Sequence, residues 1–329
     1  MKLPTYDDVL AARARLHGKV SLTPVLRVPR LDAIAGVELF LKAENLQRVG
    51  AFKARGAINA VLALPAAARA KGLVTFSSGN HGQAVALAAR DAGVTAHVVM
   101  PEDAPAVKVE AVRALGGEVS FAGKTTDDRY RLAVSIAERT GATIIPPFDD
   151  ANVIAGQGTA TVELIEQAAE LGAELDAVLV PVGGGGLLAG ACLAAAGHPT
   201  KPKVIAVEPA TADAFGQSFA AKERVTIAPA ATIADGLKPI RVGESNFAIA
   251  GRLVSHSVVV DDDAIGRALV ELLMHGKILV EPSGACALAA ALGRKLPAGV
   301  RRAGVILSGG NLAPAQLAKL ILQYAVTPA

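Results

Sequence analysis

Four short segments of this chain carry residue types suited to chemistry. In Gly50-Ala51-Phe52-Lys53-Ala54-Arg55-Gly56-Ala57, which follows Lys42-Ala43-Glu44-Asn45-Leu46-Gln47, Lys53 stands between an aromatic ring and a small-residue helix start. Partial loss of water there disfavours the ammonium form and leaves a nucleophilic amine able to form an imine. A lone lysine is otherwise an ordinary solvated charge. Gly183-Gly184-Gly185-Gly186 follows an apolar run and opens a helix at Leu187. Glycines let the backbone curl and turn several N–H groups outward, and the helix terminus adds positive potential, so a phosphate fits. A plain tight turn needs only one or two glycines. Ser77-Ser78-Gly79-Asn80-His81-Gly82-Gln83 offers hydroxyls, an amide and N–H groups to a carboxylate, or simply caps the helix after it. Ile306-Leu307-Ser308-Gly309-Gly310-Asn311 is another strand running into a glycine turn with an available hydroxyl.

The glycine run by itself also imitates a dinucleotide site, because the next strand ends at Glu208, where a ribose-binding carboxylate would stand. Leu188 fills the place of the third glycine, so the spacing matches poorly. A nucleotide-linked redox or binding protein therefore stays open on this region, but leaves the Lys53 segment unexplained.

The elements that must position these residues alternate. Candidate strands are Val37–Lys42, Leu73–Phe76, Ala96–Met100, Glu118–Phe121, Thr143–Pro146, Ala177–Val182, Lys203–Glu208, Ser257–Val260 and Gly304–Leu307. Between them Asn80–Asp91, Ala106–Leu115, Asp127–Arg139, Gly158–Leu171, Leu187–Ala196 and Asp261–His275 read as helices. Short β-branched runs separated by alanine-rich helices predict α/β architecture with parallel sheets covered on both faces. Nine strands suit two doubly wound layers better than one regular barrel.

Composition narrows the function classes. Of 329 residues 52% are hydrophobic and 19% charged, which predicts a core-rich globular protein and excludes a disordered one. A formal charge of +3 without a basic run, and with few aromatics, gives nucleic-acid binding no support. Cys192 and Cys286 lie in small apolar settings and read as packed thiols of a cytoplasmic protein. The start, Met1 to Asp8, has no apolar signal core. Ala177 to Gly197 is uncharged and of membrane-spanning length, but Pro181 and the four glycines break it into strand, loop and helix.

Together the four chemical segments resemble the fold-type-II pyridoxal-phosphate (PLP) enzymes, specifically their threonine/serine dehydratase and serine racemase branch. Ile154-Ala155-Gly156-Gln157-Gly158-Thr159, Thr232-Ile233-Ala234-Asp235-Gly236 and Glu281-Pro282-Ser283-Gly284 extend the resemblance, in family order, over nearly the whole chain. It implies a tryptophan-synthase-β-like fold of two doubly wound parallel-sheet domains. Residues 1–65 and 150–329 would form the large PLP-binding domain and 66–149 a smaller substrate-closing one. By the same resemblance Lys53 forms the imine with the cofactor, and Phe52 lies beside the ring. Asn80 hydrogen-bonds the ring hydroxyl, Gly183, Gly184, Gly185 and Gly186 with Leu187 hold the phosphate, Ser308 faces the pyridine nitrogen, and the Gly236 backbone lines the cofactor. The loop Ser77, Ser78, Gly79, Asn80, His81 takes the substrate carboxylate. A homodimer acting on a small amino acid is the implied assembly.

Departures from the family pattern matter. Ala51 replaces a serine common before the Phe-Lys pair. Metal-dependent relatives use a glutamate, a backbone carbonyl and an aspartate where this chain has Glu208, Ala212 and Ala214, with Asp213 one position out of register. A magnesium or calcium site therefore rests on Glu208 and the Ala212 carbonyl, few ligands for such an ion. His17, His256 and His275 are scattered and form no metal pair. Only 18 residues follow Asn311, which leaves no room for the regulatory domain of end-product-inhibited relatives.

The reaction implied is loss of a β-hydroxyl, giving a keto acid and ammonia. A serine opposite the pyridine nitrogen does not hold it protonated, and the weaker electron sink suits prompt loss of a β-substituent. Ser78 matches the position where racemases keep a second acid/base opposite the lysine, so racemisation of serine or aspartate by Lys53 and Ser78 is the alternative. β-Replacement is disfavoured by the Ser-Gly-Asn-His loop. Arg129 matches an arginine that reaches a second carboxylate in racemases, or is a surface residue paired with Asp127 or Asp128. Pro239 replaces its companion serine, and neutral substrates are expected to win over a diacid.

Overall fold

The computed structural model describes residues 3–77, 79–123, 125–229 and 231–324. Among them the strands are β1 Val25–Leu26, β2 Glu38–Lys42, β3 Leu73–Phe76, β4 Ala96–Met100, β5 Glu118–Phe121, β6 Thr143–Ile144, β7 Ala177–Pro181, β8 Lys203–Pro209, β9 Val254–Val260 and β10 Arg302–Ile306. Six form one sheet in the order β1-β2-β10-β7-β8-β9, and four form a second in the order β5-β4-β3-β6. All pairings are parallel except β1 with β2.

Strand periodicity explains why helices cover both faces of the larger sheet. Leu39 and Leu41 of β2, Leu179 of β7, Ile205 of β8 and Val305 of β10 point into one core with Leu269, Cys286 and Leu288. Their neighbours Phe40, Val178, Val180, Val204 and Ile306 point into the other, against Leu164, Leu187 and Leu188. The smaller sheet repeats the scheme. Val74 and Val99 meet Ala133 and Ile136 on one side, while Val98 and Met100 meet Val109 and Val112 on the other.

Several boundaries differ from those expected. β1 escapes sequence reading because two residues carry no period. Pairing of β6 stops at Ile144, and the next residues include Pro146 and Pro147, which have no N–H to offer a ladder. The helix expected from Gly158 begins at Ala151, because Asp150 caps it by accepting the N–H groups of Asn152 and Val153, both at 2.9 Å. Its internal glycines permit close helix packing: a Cβ on Gly158 would lie 2.7 Å from the Gly190 carbonyl oxygen. The segment expected as Asp261–His275 is an α-helix at Asp262–Glu271 followed by a wider turn, Leu272–Gly276. Helices at Tyr6–Leu16 and Pro282–Leu292 had no counterpart in the sequence reading.

The uncharged Ala177–Gly197 stretch is β7, the glycine turn and a helix at Gly186–Gly197. Among the described residues no helix is long and apolar enough to cross a membrane. Both cysteines are free and buried.

Candidate active site

Three neighbouring parallel strands, β2, β10 and β7, bring three of the four chemical segments together at their carboxyl ends, where open α/β sheets place their ligands; the fourth follows β3 of the smaller sheet. The chain leaving β2 returns alongside the chain leaving β10. Ala51 bridges Gly309, the Phe52 N–H donates to the Ser308 carbonyl at 3.1 Å, and the Gly310 N–H donates to Gly50 at 2.9 Å. Lys53, which starts the helix Lys53–Ala63, is thereby tied to the Ser308 segment.

The Lys53 ammonium donates to the Pro147 carbonyl at 2.6 Å and lies 5.2 Å from the centre of the Phe52 ring. Burial pulls its pKa down to about 8, so a reactive amine is accessible near neutrality.

Beyond β7, Gly185 has φ of +91°, a conformation that glycine adopts without strain. A Cβ on Gly184 would stand 2.1 Å from the Phe148 ring, and one on Gly186 would stand 2.9 Å from the Phe148 carbonyl oxygen. Only glycine lets this backbone approach so closely. The Gly184 carbonyl is tied back by the buried Asn246 amide at 2.7 Å and by the Gly243 N–H at 3.0 Å. The first helical return is Ala189 N–H to the Gly185 carbonyl at 2.8 Å. The N–H groups of Gly185, Gly186, Leu187 and Leu188 precede that bond and stay uncommitted among the described residues. Leu187 also buries its side chain in the core beneath.

Asn80 starts the helix Asn80–Ala92 after β3. Its Nδ2 donates to Glu281 at 2.9 Å, and its Oδ1 accepts from Asn311 at 2.8 Å. His81 is buried, with Nε2 3.1 Å from the Ile145 carbonyl. A carbonyl can only accept, so Nε2 carries the hydrogen. Burial, helped by the nearby Lys53 charge, pushes its pKa down to about 3, and His81 is neutral. Ser77 is half-buried and accepts the Gly79 N–H at 3.3 Å. Ser78 lies outside the described residues. Ser308 is buried, with Oγ 3.4 Å from the Ser283 carbonyl, a weak hold that leaves its hydroxyl available. The Gly236 N–H donates to Ser283 Oγ at 2.9 Å, and a Cβ on Gly183 would meet the Gly236 carbonyl at 2.9 Å and Pro239 at 3.3 Å. Gly236 and Pro239 therefore flank the glycine turn. Arg129 donates to Thr126 at 3.1 Å, within its own helix Thr126–Thr140.

A divalent cation at Glu208 and Ala212, for which the sequence supplies few ligands, is not supported. Both Glu208 oxygens accept backbone N–H groups at 2.8 Å, from Phe215 and Gly216, so the carboxyl fastens the start of the helix Ala214–Ala221. Among the described residues no group of three or more His, Cys, Asp or Glu is arranged to hold a metal. Ala214 has no carboxylate to complete the oxygen set that such an ion needs.

Sequence reading assigned no role to three neighbours of the site: Pro147, Phe148 and Glu281. The Pro146-Pro147 pair and the Glu281-Pro282-Ser283-Gly284 motif are visible in the sequence, but nothing local connects either with Lys53 or Asn80.

A desolvated amine, a close backbone cradle whose N–H donors are uncommitted among the described residues, and an amide held beside the Ser308 turn fit an aldehyde bearing a phosphate. The chain is 42% identical to the L-threo-3-hydroxyaspartate ammonia-lyase of Saccharomyces cerevisiae, over 98% of this chain and 97% of that one. It is 43% identical to the serine racemase of Schizosaccharomyces pombe, over 94% of this chain and 95% of that one. The crystal structure of a T.th. threonine deaminase superposes with a TM-score of 0.89 at 44% identity, covering 94% of this chain and 99% of that one. Residues 17–309 match the model of the pyridoxal-phosphate dependent enzymes, and with these relatives at hand the chain belongs to that family.

Proposed function

We propose that this protein is a PLP-dependent ammonia-lyase that removes the β-hydroxyl of a small threonine- or serine-like amino acid, giving a 2-keto acid and ammonia. The observation that carries this reading is the placement of Lys53, a desolvated amine beside the glycine turn at the carboxyl ends of β2, β10 and β7. Bound PLP supplies an electron sink for the α-carbon of the amino acid joined to it.

The chain's own residues do the rest. Lys53 Nζ would hold the cofactor and, as a free amine, would take the α-proton; Pro147 O is the acceptor placed to orient it. The N–H groups from Gly183 to Leu187 would hold the phosphate, Asn80 the ring oxygen and Ser308 Oγ the ring nitrogen. Phe52 and the Gly236 backbone would line the ring. Ser77, Gly79 and the N-terminus of the Asn80 helix are suited to the substrate carboxylate, whereas the His81 ring spends its one N–H on Ile145. In the same reading residues 66–149 close over the substrate and the chain works as a homodimer.

A second reading, racemisation through Lys53 and Ser78, is favoured by the serine racemase relative. One experiment addresses both. Wild-type protein incubated with L-threonine, L-serine and 3-hydroxyaspartate is assayed for keto acid and for product chirality, beside Lys53→Ala. The expectation is keto acid as the main product, with visible cofactor absorbance and turnover both lost in Lys53→Ala. Inverted amino acid as the main product would install the racemase reading. A Lys53→Ala protein that still holds the cofactor covalently would remove both.

A further inference from the structure

Glu281 is a titratable group at this site to which the proposed reaction gives no part. It precedes the helix Pro282–Leu292, and its backbone N–H donates to Gly309 at 3.0 Å, next to Ser308. Its carboxyl accepts from Asn80 Nδ2 at 2.9 Å and from the backbone N–H of Asn311.

The amide orientations can be read from the contacts. The Val49 carbonyl only accepts, so the group of Asn311 that reaches it at 2.7 Å is Nδ2. That same Nδ2 reaches Asn80 at 2.8 Å, which makes the Asn80 atom facing it Oδ1. Asn80 Nδ2 must then face Glu281, and of its two hydrogens one is spent there. The other is uncommitted among the described residues. A Cβ on Gly309 would lie 2.9 Å from Glu281 Oε1 and 3.1 Å from Asn80 Nδ2, so glycine at 309 keeps the space between them open.

We propose that Glu281 is a positioning residue for the cofactor: with Asn311 it locks the Asn80 amide so that the free Nδ2 hydrogen serves the cofactor's ring oxygen, and the charge on its carboxyl is felt at that oxygen. This rests on the proposed PLP site at Lys53 and Asn80. Desolvation pushes the Glu281 carboxyl up to about pH 7, against the hydrogen bond from Asn80, so its charge changes in the working range. The charged groups that face it are Lys108 and Asp235, which pair with each other at 2.6 Å; Lys238 joins Asp235 at 2.9 Å. His81, in the same helix as Asn80, is neutral.

The test uses Glu281→Gln, which keeps an acceptor but cannot ionise, and Glu281→Ala, which removes it. Absorbance of the bound cofactor is followed from about pH 5.5 to about pH 9, and cofactor affinity is measured on the apo-protein. Wild type should show a spectral inflection near pH 7 that Glu281→Gln lacks, with affinity kept within about threefold. Glu281→Ala should bind the cofactor about tenfold more weakly, the scale of one charge-assisted hydrogen bond. An inflection that persists in Glu281→Gln, or wild-type affinity in Glu281→Ala, would overturn the proposal. Failure of the Lys53→Ala test would instead strike the underlying site. Should Glu281→Ala not fold, the near-isosteric Glu281→Gln spectrum decides.

Discussion

At the scale of single residues, the site depends on one amine being kept out of water. Lys53 titrates near 8 because burial penalises its ammonium form, well below the 10.5 of a free lysine. Only the neutral amine attacks an aldehyde, and below that pKa its fraction grows about tenfold per pH unit. The second-order rate of PLP attachment to the apo-protein should therefore rise from about pH 6 and level off just above pH 8. A rate still climbing tenfold per unit at about pH 9.5 would mean a solvated lysine. Stopped-flow absorbance distinguishes the two.

At the scale of elements, a buried ion cluster fixes the helix that begins at Lys53. Arg55, two residues on, donates to Glu44 at 2.7 and 2.8 Å and to both Glu163 oxygens at 2.7 Å. Lys42 adds bonds to Glu163, Gln167 and the Thr23 carbonyl, each 2.7 Å. Burial works against the charge on Arg55, yet Glu44 and Glu163 outweigh it and hold the guanidinium above its ordinary range. Burial likewise opposes the charge on Glu44, and Arg55 outweighs it to keep the carboxylate below the usual range. The cluster joins β2, the Lys53–Ala63 helix and the Ala151–Glu170 helix. Removing Arg55 leaves the buried Glu44 carboxylate without its cation, although Glu163 keeps Lys42, and stranding a buried charge is far costlier than never having had the pair. Arg55→Met should lower stability by about 3–5 kcal/mol, read as a shift in the urea midpoint. A midpoint within error of wild type would show that water reaches the two carboxylates.

At the scale of the whole molecule, a charged pair reaches from the side of the smaller sheet to that of the larger. Lys108, on the helix Ala106–Arg113 beside the smaller sheet, reaches Asp235 at 2.6 Å, next to Gly236 on the larger side. Burial disfavours the Asp235 carboxylate, but Lys108 and Lys238 prevail and bring its pKa down to about 2. The pair is partly solvated, so Lys108→Met should cost under about 1 kcal/mol in stability. Its electrostatic reach is longer. Loss of a cation near Glu281 disfavours the carboxylate, so the spectral inflection near pH 7 should move to higher pH. An inflection that stays in place would mean that solvent screens Lys108 from Glu281.

How much of this could be read from the chain alone follows from what is local. The α/β class, the glycine turn before Leu187, the Lys53 segment and the Ser308 turn were all legible, because strand-to-turn-to-helix transitions write glycines, hydroxyls and periodicity into adjacent positions. The start of the Ala151–Glu170 helix was not, because glycines at 156 and 158 look like breakers until the partner helix they admit is known. The sequence leaves a cation site at Glu208 short of ligands because Ala214 stands where relatives carry an aspartate, and the fold commits both carboxyl oxygens to the Ala214–Ala221 helix. Only the tertiary structure placed β10 between β2 and β7, and so set Lys53, Ser308 and Gly183–Gly186 side by side. Strands of a sheet buried on both faces are apolar throughout and carry no mark of their neighbours. Likewise Pro147 reached Lys53, and Glu281 reached Asn80, across separations of 94 and 201 residues. Contacts that distant are decided by how layers pack, and no local pattern records them.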